Sequence, residues 1–239
     1  MRGTLVNTAT VVVGTAIGLA ARGHLPGQYH EIALAAVGLG TLGLGIKMFI
    51  ASNNVLIPIG ALIFGGLLGH LLGLQAAVEA LASWAKSTFG GGRIEEAFVT
   101  TSILFCVGPM TLLGCLEDGL EGKIHLLGIK SILDGISSVF FAAALGWGVL
   151  LSAATVLVVQ GGLTLSARRV RPLLARRDVL DETTAAGGGI LLAIGIGLLG
   201  LRSLPTADFL PALLLAGGVA WRFGSRELDQ VAPGSLPDE

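Results

Sequence analysis

Charge is what this chain has least of. Asp, Glu, Lys and Arg make up 13% of its 239 residues, where a water-soluble domain carries about a quarter. A surface of ordinary polarity cannot be built from so few. The net charge of −1 gives nucleic acid nothing to hold, and no such partner is expected. Aromatic side chains are scarce as well, at 5%, which leaves close packing to small residues. There are two cysteines, Cys106 and Cys115. On one continuous helix they would stand about 13.5 Å apart on opposite faces, which excludes a disulfide between them and offers no metal-ligand spacing. The histidines (His24, His30, His70 and His125) are scattered and form no HExxH pattern, and no serine sits in a GxSxG turn. Neither an enzyme nor a metal site nor a cofactor is expected.

What the chain has is apolar length. Hydrophobic residues reach 53% and mean hydropathy is +0.82, the composition of an all-α polytopic membrane protein. About 20 apolar residues cross a bilayer, and eight runs qualify: Gly3–Ala21, Ile32–Ile50, Val55–Leu74, Ala97–Leu116, Leu126–Leu145, Trp147–Leu165, Ala186–Leu201 and Phe209–Phe223. The last two are short and read as a tilted or re-entrant pair. Residues 1–223 form one transmembrane domain, and 224–239 read as a polar, flexible cytoplasmic tail. The thirty-seven glycines point to helices packed backbone to backbone. Pairs at four-residue spacing (Gly14/Gly18, Gly65/Gly69, Gly69/Gly73) fit a compact bundle or a homo-oligomer. The string Gly38, Gly40, Gly43 lies inside an apolar run, so its GxGxxG spacing is no dinucleotide site.

The chain also repeats itself. GVLLSAATVLVVQGGLTL from Gly148 re-reads GTLVNTATVVVGTAIGLA from Gly3 without a gap, laying Val11 on Val156. AAGGGILLAIGI from Ala185 re-reads AAVGLGTLGLGI from Ala35, and the LPALLL around Pro211 meets the IPIGAL around Pro58. Spans one to three thus correspond to spans six to eight, with four and five between. Five spans separate the starts of the two copies, and an odd number makes them inverted repeats, as in many transporters. The first span has the outline of a secretory leader, but its echo inside the chain predicts that it is kept.

Orientation follows from arginine. Arg168, Arg169, Arg171, Arg176 and Arg177 crowd the connection after the sixth span, and the positive-inside rule puts it in the cytoplasm. With eight spans both ends are then cytoplasmic.

Polar residues inside the spans mark candidate sites. Asp134 lies about 12 Å into the fifth span, with Lys130 one turn before it and Ser137 and Ser138 one turn after. This set reads either as an ion or proton site or as a self-neutralising pair at a helix contact. Gly108-Pro109 interrupts the fourth span, where proline must kink or break a helix and free carbonyls toward a cavity. Asp118 closes that span beside Glu117. It reads as a guard at a pathway mouth or, with Glu117, as a solvated loop charge near Lys123. Thr100, Thr101 and Ser102 are expected to bond back to their own helix. Asn7 and Gln160 are expected to form interhelical hydrogen bonds.

Two long strings, FVTTSILFCVGPMTLLGCLEDGL (Phe98–Leu120) and KSILDGISSVFFAAALGWGVLLSAATVLVVQGGLTL (Lys130–Leu165), resemble the core of the YqgA/YdfK-type bacterial inner-membrane proteins, the domain of unknown function family 554. The opening GTLVNTATVVVGTAIGLA and the closing PTADFLPALLLA resemble it too. The resemblance implies a bacterial cytoplasmic-membrane protein and carries no substrate and no site residue with it. Physics alone therefore supplies the expected function: a secondary transporter or channel for a small polar solute or ion. The competing class is a membrane scaffold or stress-sensing module. A water-filled cavity reaching Asp134 would favour transport, and a sealed Lys130–Asp134 pair would favour the scaffold.

Overall fold

The computed structural model describes residues 1–23, 27–89, 93–174 and 176–223, and the polar tail lies outside them. The described residues form the helices α1 (Arg2–Arg22), α2 (Gly27–Phe49), α3 (Leu56–Leu71), α4 (Leu74–Phe89), α5 (Ile94–Cys106), α6 (Pro109–Glu121), α7 (His125–Leu145), α8 (Gly148–Leu165), α9 (Ala167–Leu174), α10 (Arg177–Leu198) and α11 (Pro211–Phe223), with a 3-10 turn at Thr206–Phe209. Polarity is arranged inside out. Asn7, Gln160 and Thr100 are fully enclosed, while Val13, Ile63 and Leu214 expose 57%, 56% and 81% of their surface. Water would not tolerate that arrangement; hydrocarbon requires it.

The eight expected spans are corrected to between five and seven. Helices α1, α2, α7, α8 and α10 are long and apolar enough to cross a membrane alone, and the bent pairs α3 with α4 and α5 with α6 bring the number to seven. The third run stops at Leu71. Gly73, at φ +67°, then turns the chain, and the axis swings 61° into α4, an element that the sequence reading placed in no span. Gly73 is therefore a turn residue and not half of a packing pair. The fourth run is cut in two at Gly108-Pro109 with a bend of 57°, so Cys106 and Cys115 lie on separate helices. The seventh run is not short: α10 starts at Arg177 and carries Glu182 inside the protein, where it finds partners. Only the eighth stays short, with 13 residues in α11. Part of the arginine-rich connection is helical, as α9.

Packing runs through small residues. Gly3, Gly14 and Gly18 of α1 lie against Leu127, Gly135 and Val139 of α7, so these two helices run parallel. An added Cβ at Gly14 would stand 2.2 Å from the Gly135 carbonyl; nothing larger than glycine fits. Contacts of Thr4 with Thr164 and of Asn7 with Gln160 make α1 and α8 antiparallel. Gly38 meets Leu199 and Gly45 meets Leu192, so α2 and α10 are antiparallel. The same holds for α3 and α11, where Gly65 meets Ala212 and Gly69 meets Asp208. Ile94 beside Gly148 and Ser102 beside Thr155 set α5 parallel to α8, while Arg93 on Gly197 and Ile103 near Gly187 set it antiparallel to α10. Helices α1, α3, α7 and α10 thus point one way, and α2, α5 with α6, α8 and α11 the other.

The helix ends are finished by charged side chains from elsewhere in the chain. Arg22 donates to the Ala144 carbonyl at the end of α7, Arg93 to Gly197 at the end of α10, and Arg176 to Trp221 at the end of α11. Cations at helix C-termini satisfy free carbonyls and interact favourably with the negative end of the dipole. Arg168, Arg169, Arg171, Arg176, Arg177 and Arg222 collect at the end that also holds Arg2. The C-terminal end of α1 and the α7–α8 connection lie at the opposite end.

Candidate functional site

The site is built around the break between α5 and α6. In an unbroken helix the Leu104 carbonyl would accept from the Gly108 amide and the Phe105 carbonyl from residue 109. Residue 109 is proline and has no N–H to give. Gly108 is extended (φ 169°, ψ 150°) and starts a new helix at Pro109. Two carbonyls are thereby set free in the protein interior, where each needs a donor.

The donors come from three other helices. Lys130 Nζ on α7 donates to Leu104 O at 3.4 Å, and its ammonium stands 5.5 Å from the centre of the Phe105 ring. Gln160 Nε2 on α8 donates to Phe105 O at 3.2 Å, and Thr111 Oγ1 on α6 donates to the same oxygen at 2.9 Å. Lys130 also forms an ion pair with Asp134 Oδ1. Asp134 Oδ2 accepts from Asn7 Nδ2 on α1 at 3.0 Å, and the same amide donates to Gln160 Oε1 at 3.2 Å. The chain of contacts closes on itself. Lys130, Asp134, Asn7 and Gln160 form a ring joined through the backbone at Leu104 and Phe105, and all four side chains are buried. One acceptor on the ring, Asn7 Oδ1, has no hydrogen-bond partner.

The fifth-span pair and the proline break, read separately from the sequence, thus belong to one site. Asn7 and Gln160 make the interhelical bonds expected of them, and with each other. Their membership of the site was not foreseen, because Asn7 lies near the start of its span and Gln160 near the end of its own. Antiparallel packing brings these two ends to one level. The hydroxyls contribute less than expected. Ser138 bonds back to the Asp134 carbonyl at 2.7 Å, and Ser137 is half-buried to one side. Asp118 is buried rather than solvated; it accepts from the Gly3 amide at 3.0 Å and pairs with the Met1 ammonium at 2.8 Å, fixing the start of α1 where a carboxylate suits the helix dipole. Glu117 accepts from the Leu126 amide at the start of α7, and Lys123 pairs with Glu121 instead. Of the three hydroxyls on α5, Thr101 bonds back to its own helix as expected, Ser102 reaches across to Thr155, and Thr100 Oγ1 has no partner.

Two buried carboxylates escaped the sequence reading. Glu182 receives Ser52 Oγ at 2.6 Å and the amides of Asn53 and Asn54 at 2.9 and 3.0 Å, holding the α2–α3 connection to α10. Asp208 receives the Gln75 amide at 2.9 Å and lies 3.2 Å from His70 Nδ1, holding the α3–α4 corner to the 3-10 turn. The acidic residue just outside each apolar run was the available signal.

A cavity of about 530 Å³ opens between α5, α8, α10 and α11, with Cys106 and Val107 of the break in its wall. Its lining is apolar, and neither Lys130 nor Asp134 belongs to it. No group of three or more His, Cys, Asp or Glu among the described residues could hold a metal ion.

Comparison with known proteins gives relatives of the same extent. The chain is 30% identical to the uncharacterized membrane protein YdfK of Bacillus subtilis (strain 168) over 90% of its own length and 93% of that protein's. It is 28% identical to the uncharacterized protein YqgA of Escherichia coli (strain K12), over 90% and 94%. No solved structure matches it. Residues 2–221 match the family described as protein of unknown function DUF554. This multi-pass membrane protein belongs to the DUF554 family.

Proposed function

We propose that the protein is a secondary transporter or channel for a small polar solute or ion, working through the Lys130–Asp134 pair at the α5–α6 break. The observation that carries this reading is the pair itself. Two opposite charges are enclosed near the middle of α7, against carbonyls released by a broken helix, and ionisable groups placed there are costly unless they serve a pathway. The repeat read from the sequence fits this reading. Helices α1, α2 and α3 each pack antiparallel against the counterpart that the sequence match assigns, α8, α10 and α11, and Val11 and Val156 share one buried cluster. Exchange of conformation between two such copies is how alternating access arises. The arginines at the α9 end support a cytoplasmic position for that end, in keeping with a protein of the cytoplasmic (inner) membrane that has both termini inside.

The sealed geometry favours one competitor. A pair whose hydrogen bonds are met from within, beside a cavity that is apolar, also suits a non-transporting scaffold or stress-sensing module. Currents recorded on a solid-supported membrane separate the two. Liposomes carrying wild-type protein and Asp134→Asn are challenged with a panel of ions and small solutes. A solute-dependent current lost in the variant establishes transport through the ring. Silence of folded wild type, in current and in tracer flux, leaves the scaffold.

A further inference from the structure

We infer that the apolar cavity between α5, α8, α10 and α11 holds one acyl chain of an anionic phospholipid, whose headgroup rests on Arg222. The inference does not depend on the transport reading.

The cavity has the dimensions of a lipid chain. Its lining follows α11 from Leu210 to Trp221, about 16 Å at 1.5 Å per residue. That is the depth of one leaflet, half of a hydrocarbon core about 30 Å thick. The 530 Å³ of the cavity, spread over this length, leaves a mean width of about 6 Å, whereas a helix with its side chains needs about 10–12 Å. A hydrocarbon chain fits, and a helix from a second copy does not. Leu214 and Trp221 on the rim expose 81% and 53% of their surface, so the groove opens on the face that the bilayer surrounds. It offers little to a polar solute. Two of its three hydroxyl side chains, Ser102 and Thr155, are bonded to each other.

One end of the groove suits a headgroup. Trp221 stands there, at the arginine-rich end of the protein, and tryptophan favours the membrane–water interface. Arg222 is exposed and lies one turn beyond Gly218, on the face of α11 that lines the groove. A chain seated in the groove would bring its phosphate out beside this guanidinium, whose planar donors match phosphate oxygens. Basic pockets between transmembrane helices bind anionic headgroups in this way. Two features that would repel an anion are already covered. The Ala220 and Trp221 carbonyls at the end of α11 accept from Arg176, and the Asp178 carboxylate pairs with the same guanidinium.

The test is native mass spectrometry of the purified full-length protein, delipidated and titrated with phosphatidylglycerol or with phosphatidylcholine of the same chains. One phosphatidylglycerol per protein is expected, bound at least about fivefold more tightly than phosphatidylcholine. Arg222→Gln should weaken it about fivefold, the contribution of one basic residue at an anionic membrane surface. Arg169→Gln, at the same end but outside the groove, should change nothing. A Cβ at Gly218 would meet nothing within 4 Å, so Gly218→Phe should fill the groove and abolish the adduct with Tm unchanged. Gly218→Leu carries this arm if the larger variant does not fold. Equal binding of the two lipids overturns the inference, as does equal loss in Arg169→Gln and Arg222→Gln. An adduct that survives in the folded Gly218 variant overturns it too. A dimer in place of the lipid adduct, separated by the Gly218 substitution, would put a second copy on the groove and overturn it as well.

Discussion

Asn7 and Asp134 lie 127 positions apart in the chain and 3.0 Å apart in the fold. Through that bond α1 is tied to α7, and through its second hydrogen Asn7 ties both to α8. Replacing Asn7 with Leu leaves Asp134 and Gln160 each short of a donor inside the protein. A loss of about 2 kcal/mol is expected, since a bond to a charged group is worth more than the average interhelical bond. Asn7→Asp should cost more, by setting a second carboxylate against Asp134. Melting in detergent measures both, and an unchanged Asn7→Leu would show that the bond contributes nothing.

Glycine matters at Gly14 in a way it does not at Gly43. A Cβ at Gly14 would collide with the Gly135 backbone, while one at Gly43 would meet nothing within 4 Å. Gly14→Ala should destabilise by about 1–3 kcal/mol as α1 is pushed off α7. Gly43→Ala should be neutral or stabilising, by up to about 1 kcal/mol from helix propensity. If the two variants melted alike, α1 and α7 would not pack as closely as described.

Glu182 fastens the α2–α3 connection with three hydrogen bonds, two of them from backbone amides. Glu182→Ala strands those donors, and about 3 kcal/mol should be lost. Hydrogen exchange should rise first at Asn53 and Asn54. Protection there equal to wild type would be the contrary result.

Orientation can be read by labelling single cysteines in a Cys106→Ala, Cys115→Ala background. A membrane-impermeant maleimide should reach Leu201→Cys in intact cells and Arg169→Cys only after permeabilisation, as the proposed cytoplasmic position of the arginine-rich end requires. The reverse pattern would invert the topology.

Membrane residence followed from composition alone: too few charges for a water-facing surface, and apolar runs of spanning length. The placement of helices was legible for the same reason, since α1, α7 and α8 match their runs nearly residue for residue. Gly108-Pro109 announced a break because proline's missing N–H is a property of the residue, independent of its neighbours. The pairing of Lys130 with Asp134 was legible because residues four apart share a helix face. Whatever depends on direction and distance between helices was decided only in three dimensions. Asn7 and Gln160 meet because α1 and α8 run antiparallel, and Lys130 reaches Leu104 because α7 passes the break. Asp118 is an anchor because α1 begins beside it. Glu182 is held because the α2–α3 turn supplies its donors. Local chemistry is written residue by residue along a chain, whereas partners across a bundle depend on how every helix packs at once.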